Sequence, residues 1–163
     1  VAGILHVSIV AVGKLKEPYA AAGVAEYVKR LRPYVRLQMA EVDDEPAPDP
    51  ADAAATERAL RREAERLLAR LPHDAYVIAL AVDGELWSSE ELAGRLQRLA
   101  AEGRGRVAFV VGGTCGLHAD VLRRADARWS LGRITLPHQL ARLVLTEQLY
   151  RALKIMRGEG YHK

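Results

Sequence analysis

Arg106-Val107-Ala108-Phe109-Val110-Val111-Gly112-Gly113-Thr114-Cys115-Gly116-Leu117 decides the fold of this chain. After Arg106, Val107 to Val111 form an apolar run rich in β-branched residues, the pattern of a strand buried on both faces. The glycines that follow let the backbone turn tightly. Leu117 to Ala127 then reads as a short helix. Strand, glycine turn and helix in that order belong to an α/β unit, in which helices cover a largely parallel sheet.

The same alternation extends in both directions. Leu5 to Val12 reads as a buried strand ending at Gly13, and Val24, Tyr27, Val28 and Leu31 fall at helical spacing before Pro33. Val35 to Val42 reads as a second strand. Leu60, Ala64, Leu67, Leu68 and Leu71 form a helical stripe that Pro72 ends. Tyr76 to Val82 reads as a third strand closed by an Asp83-Gly84 turn. Ser88 or Ser89 caps the next helix, whose Leu92, Leu96 and Leu99 face the core. Trp129 to Leu136 is a short extended segment broken by Gly132, and Pro137 opens a long helix from His138 to about Met156.

The chain has 163 residues, enough for one domain and one core. The acidic, proline-rich stretch from about 43 to 52 is expected to be a mobile surface loop inside that domain. No apolar run is long enough to span a membrane, and residues 1–12 lack the pattern of a secretory signal. Cys115 is the one cysteine, which excludes an internal disulfide and any multi-cysteine metal site. A cytoplasmic protein without a bound metal is the expectation.

The net charge of +3 does not by itself indicate nucleic acid, but its distribution is uneven. Residues 117–163 carry nine Lys/Arg against four Asp/Glu, while residues 1–116 carry fifteen against seventeen. The basic end is either a solvated helix face or a phosphate-binding surface.

Gly112-Gly113-x-x-Gly116 stands at a strand end, where open α/β sheets bind ligands. It is neither the dinucleotide fingerprint nor a P-loop. By spacing alone, a plain tight turn and a ligand loop are both open. Leu131-Gly132-Arg133-Ile134-Thr135-Leu136-Pro137-His138 is a second strand-end loop, and His138 falls in the first turn of the final helix. On that helix Glu147, Tyr150, Arg151 and Lys154 share a face with Arg142 nearby, either as a salt-bridged surface or as a binding face. Tyr161-His162-Lys163 is either a frayed end or a tail that stacks on a base and holds a phosphate.

Taken together, these segments resemble the SPOUT-class methyltransferases and, within them, the RlmH (YbeA-like) family. The resemblance runs from Ala11-Val12-Gly13-Lys14-Leu15-Lys16-Glu17 through Glu26-Tyr27-x-Lys29-Arg30-Leu31 and the glycine loop to the C-terminus. It is strongest in Trp129-Ser130-Leu131, in Thr135-Leu136-Pro137-His138, and in Ala141-Arg142-x-x-Leu145-x-Glu147-Gln148-Leu149-Tyr150-Arg151-Ala152.

This resemblance implies a single-domain, trefoil-knotted α/β sandwich with a mostly parallel sheet, an exception to the rule that chains do not thread loops. It implies S-adenosylmethionine-dependent methylation of N3 of a pseudouridine in large-subunit ribosomal RNA, on the assembled ribosome. Carried onto this chain, the cofactor loops are Leu80-Ala81, Gly112-Gly113, and Leu131, Gly132, Arg133, Ile134, Thr135, Leu136, Pro137 and His138. The family's aspartate at the third strand end is Ala81 here, with Asp83 the nearest acid, and Thr114-Cys115 stands where the family often has proline and a larger residue.

His138, Glu147 and His162 are the candidate bases for the imide proton. Arg142, Arg151, Lys154, Tyr161, His162 and Lys163 are the candidate RNA contacts. The family works as a homodimer, and isologous pairing through Leu145, Leu149 and Leu153 of the final helix is expected. The alternatives are a ribosome-associated factor that keeps the fold without turnover, and an enzyme of the same fold with another RNA target.

Overall fold

A computed structural model describes residues 4–162. Strands and helices alternate throughout: β1 (His6–Val12), α1 (Pro18–Leu31), β2 (Arg36–Val42), α2 (Ala53–Arg70), β3 (Tyr76–Leu86), α3 (Ser89–Ala101), β4 (Arg106–Val111), α4 (Ala119–Arg124), β5 (Ala127–Ser130) and α5 (His138–Met156). The five strands form one sheet in the order β2-β1-β4-β3-β5, and every pairing is parallel. No helix among the described residues is long and apolar enough to cross a membrane.

The continuous apolar strands are explained by two cores, one on each face of the sheet. Val7, Ile9, Val107 and Phe109 pack with Leu92, Leu96, Leu145 and Leu149 on the face covered by α3 and α5. Their strand neighbours Val10, Val12, Ala108 and Val110 pack with Ala64 and Leu67 of α2 and Val121 of α4. The apolar side chains that alternate along the central strands β1 and β4 are therefore buried, some on each face.

Local signals set the helix starts. Asp52 accepts the Ala55 N–H at 3.0 Å to cap α2, and Ser88 does the same for Glu91 to cap α3. Ser89 instead donates to Gln148 of α5 at 2.6 Å. The start of α1 has no side-chain cap of its own. Gln139 of α5 supplies the acceptor, taking the N–H groups of Lys16 and Glu17 at 3.0 and 2.8 Å.

Three expectations are corrected. The Asp83-Gly84 turn does not end β3: the strand continues to Leu86, and a bulge lets both Leu80 and Glu85 pair with Trp129. The acidic loop is anchored to α2 at its start. Glu45 pairs with Arg66 at 2.8 Å and Arg62 at 3.1 Å, and Arg66 also donates to the Asp43 carbonyl. These guanidinium hydrogen bonds, that of Arg66 first and that of Arg62 next, hold the Glu45 carboxyl below the usual range. Leu145, Leu149 and Leu153 are buried in the core of their own chain, so they are not a free face for a second copy. Arg142, expected to meet RNA, is 1% exposed; it pairs with Glu41 and donates to the Gly13 carbonyl at 2.9 Å.

Candidate functional site

The loops that leave β3, β4 and β5 meet at the carboxyl edge of the sheet and enclose a cavity of about 220 Å³. Open parallel sheets place ligand sites at this edge, because the loops diverge there. Leu80, Ala81 and Asp83 come from β3 and its bulge, and Gly112 and Gly113 follow β4. Leu131, Gly132, Ile134, Leu136 and His138 come from the β5–α5 connection. Arg133, Thr135 and Pro137 of that connection are exposed and do not line the cavity.

The glycine loop is shaped by close packing. A Cβ at Gly112 would stand 2.5 Å from the Gly116 carbonyl oxygen, so no other residue fits without moving the backbone. Gly116 itself has φ +86°, a left-handed conformation that glycine adopts freely. The loop closes on itself through Gly116 N–H to Gly113 O at 3.1 Å. The opposite loop is held by Ser130, whose hydroxyl donates to the Gly132 carbonyl at 2.9 Å and accepts the Gly132 N–H at 3.2 Å.

Sequence reasoning missed Trp129 in the cavity wall. Its ring is buried, stacked on Trp87 with centroids 5.4 Å apart. Its Nε1–H has no acceptor among the described residues. A buried tryptophan between two glycine loops was a legible signal, since an indole N–H needs a partner.

The candidate bases do not come together. His138 lies at the cavity, while Glu147 and His162 sit in a separate cluster where the tail folds back on α5. Glu147 accepts the Tyr161 hydroxyl at 2.9 Å, Arg151 Nη2 at 3.0 Å and Gln148 Nε2 at 2.7 Å. Arg151 also donates to His162 Nδ1 at 3.1 Å, so the imidazole proton is assigned to Nε2, which donates to Glu90 at 2.5 Å.

Burial, with the bonds to Tyr27 and Glu147 next, pushes the Tyr161 hydroxyl up. The ring sits edge-on to Tyr150, and Arg151 lies 4.7 Å from its centroid. Lys154 is engaged by Glu159 at 2.5 Å and Tyr34 at 3.0 Å, and these partners raise it. Lys163, the last candidate RNA contact, lies outside the described residues.

Residues 5–162 match the family model described as "Predicted SPOUT methyltransferase". The protein named "Ribosomal RNA large subunit methyltransferase H" in Listeria monocytogenes serovar 1/2a is 53% identical over 159 residues, covering 98% of this chain and all of that one. Its namesake in Moorella thermoacetica is 49% identical over 160 residues, with the same coverage. Among solved structures, a probable methylase family protein from Haemophilus influenzae Rd KW20 aligns with a TM-score of 0.53 at 16% identity, covering 98% of this chain and 71% of that one. A probable methyltransferase from Bordetella pertussis Tohama I aligns with a TM-score of 0.52 at 19% identity, covering 91% and 95%. At such identity the two structures speak for the fold.

Proposed function

Because this chain belongs to the SPOUT methyltransferase family, with its trefoil-knotted α/β fold, we infer that it methylates N3 of a pseudouridine in large-subunit ribosomal RNA with S-adenosylmethionine. The observation that carries this reading is the full-length identity of about one residue in two to ribosomal RNA large subunit methyltransferases H.

The cavity suits such a cofactor. Its wall is mostly apolar and holds the orphan Trp129 N–H. Leu80, Gly112, Gly113, Leu131, Gly132, Ile134, Leu136 and His138 would hold the group, with Trp129 behind them. Asp83 takes over at the rim from the acid that Ala81 lacks. Arg133, Thr135 and Pro137 act by setting the course of the loop. When bound, S-adenosylmethionine supplies a methyl group already activated on a sulfonium.

The protein's own task is alignment, exclusion of water and removal of the imide proton. His138 is the base that the cavity favours, because a ring there stands within the enclosure. Glu147 and His162 serve the tail, whose Tyr161 and Lys163 meet the RNA together with Arg151 and Lys154 of α5. Arg142 acts from beneath, by holding the β1 end.

The chain acts as a homodimer in the cytoplasm. With the leucines of α5 buried, the pairing surface lies around the cavity mouth, where Val82 and Ile134 are 81% and 73% exposed. The tail of one protomer then borders the cavity of its partner.

Calorimetry with S-adenosylmethionine and with ATP, followed by methylation of ribosomes lacking the modification, tests the function. Binding of the former alone and transfer to ribosomes, with little transfer to a naked stem-loop, is the expected result. A net charge of +3 gives weak attraction to free RNA. No binding of either ligand, with or without ribosomes, overturns it.

A further inference from the structure

A second cavity, about 30 Å³, shares a wall with the first: Gly113 and His138 border both. Thr114 and Cys115 of the glycine loop, Asp44 and Glu45 of the acidic loop, and Glu63 of α2 are among its other lining residues. A polar space of that size holds one or two waters.

Glu63 has no role in the site described so far. It is 7% exposed, in the middle of a helix whose other buried side chains are Ala64 and Leu67. Its Oε2 accepts the Glu45 N–H at 2.9 Å, and its Oε1 has no hydrogen-bond partner among the described residues. A Cβ built on Gly113 would lie 3.8 Å from that Oε1, so the free oxygen faces the glycine loop. That oxygen is on the cavity side of the carboxyl, which lines the small space together with His138.

The Glu63 carboxyl is raised from its ordinary value. Burial is the largest cause, and Asp44 and Glu45 add to it, while the Glu45 N–H and Arg66 oppose it. Arg62 and Arg66 are themselves taken by Glu45. Cys115 and His138 are the remaining titratable groups around the cavity.

We propose that Glu63 is the proton acceptor behind His138, reached through the small cavity. This rests on the methyl-transfer reading above and assigns the fate of its proton. The N3–H bond breaks and its proton passes to one ring nitrogen of His138. The other ring nitrogen releases a proton, through water, to Glu63 Oε1. The electron pair left on N3 forms the N3–CH3 bond as the methyl–sulfur bond breaks, and that bond's pair stays on sulfur as a neutral thioether. A positive sulfonium and a carboxylate become a thioether and a carboxylic acid, so charge balances. Glu63 touches neither substrate nor cofactor; it positions the proton by acting through His138.

The test compares the wild-type protein with Glu63→Gln, which keeps the shape and an acceptor for the Glu45 N–H. Three quantities are measured: S-adenosylmethionine affinity by calorimetry, the thermal midpoint, and single-turnover methylation of unmodified ribosomes against pH. The expected result is unchanged affinity and midpoint with a rate about 100-fold lower. The acid limb of the log rate–pH profile should lose about one unit of slope, the share of the Glu63 ionisation that the variant removes. Carbon-detected NMR of the wild-type Glu63 carboxyl, which needs no variant, should show it titrating within that limb. An undiminished Glu63→Gln rate, a rate lost in step with affinity or stability, an unchanged slope, or a carboxyl that titrates outside the limb overturns the proposal. Absence of any methylation by the wild-type protein would instead overturn the functional reading, and this proposal with it.

Discussion

Arg142 Nη2 donates to the carbonyl oxygen of Gly13 at 2.9 Å, joining residues 129 positions apart in the chain. The same nitrogen reaches the Val12 carbonyl at 3.3 Å, and Nη1 pairs with Glu41. One guanidinium therefore ties the ends of β1 and β2 to the first turns of α5, beside the cofactor loops.

Replacing Arg142 with Met leaves those two carbonyls short of a donor. Glu41 is partly exposed and can be solvated, so the cost falls on the carbonyls, about 2 kcal/mol of stability. Urea denaturation should show that loss. Were Arg142 a phosphate contact instead, stability would hold and the salt dependence of RNA binding would fall.

Gly112→Ala forces a Cβ to within 2.5 Å of the Gly116 carbonyl oxygen. Backbone cannot swing aside as a side chain does, so the glycine loop must shift. S-Adenosylmethionine affinity should drop by about tenfold to 100-fold, equivalent to about 1–3 kcal/mol. Calorimetric titration checks this, and an affinity equal to that of the wild type would show that the loop does not bind the cofactor.

Gly23→Ala puts a Cβ 2.6 Å from Leu143 Cδ1, where α1 meets α5. The clash is with the end of a side chain, so relief is available at a cost of about 1–2 kcal/mol. Adding Leu143→Ala should remove part of that penalty. A double-mutant cycle from denaturation midpoints should thus show coupling between the two sites.

Glu159 anchors the tail through Lys154, Tyr34 and Arg157, and these bonds, Lys154 first, lower its carboxyl from 4.5 to about 2. A carboxyl whose folded value is depressed stabilises above its unfolded value and loses that contribution as pH falls through the folded one. The stability difference between wild type and Glu159→Gln should be constant from pH 7 to about 5. It should shrink as pH drops from 4.5 toward about 2. Proteolysis of the tail across that range offers an independent check.

Much of this was legible in the residues. The apolar runs at Leu5–Val12, Tyr76–Val82 and Arg106–Val111 mark strands, and helical spacing marks α2, α3 and α5. These signals are local, because side-chain direction repeats every two or 3.6 residues whatever the rest of the chain does. The glycine loop could be placed at a strand end for the same reason. Asp83-Gly84 misled because a turn-like pair also suits a bulge, and only the register against Trp129 distinguishes them.

What the sequence by itself determined, then, was the order of strands and helices, the burial of both sheet faces and, through ordered motifs, the family. Tertiary structure alone decided the strand order and the meeting of Leu80, Gly112 and His138 around one cavity. It also decided the fates of charges. Arg142 and Glu63 look like solvated helix residues in a linear reading, yet both are buried. The partners that make burial tolerable, the Val12 and Gly13 carbonyls for one and the Glu45 N–H for the other, lie far away in sequence. A charge's environment is a sum over everything near it in space, and no periodicity in the chain records that sum.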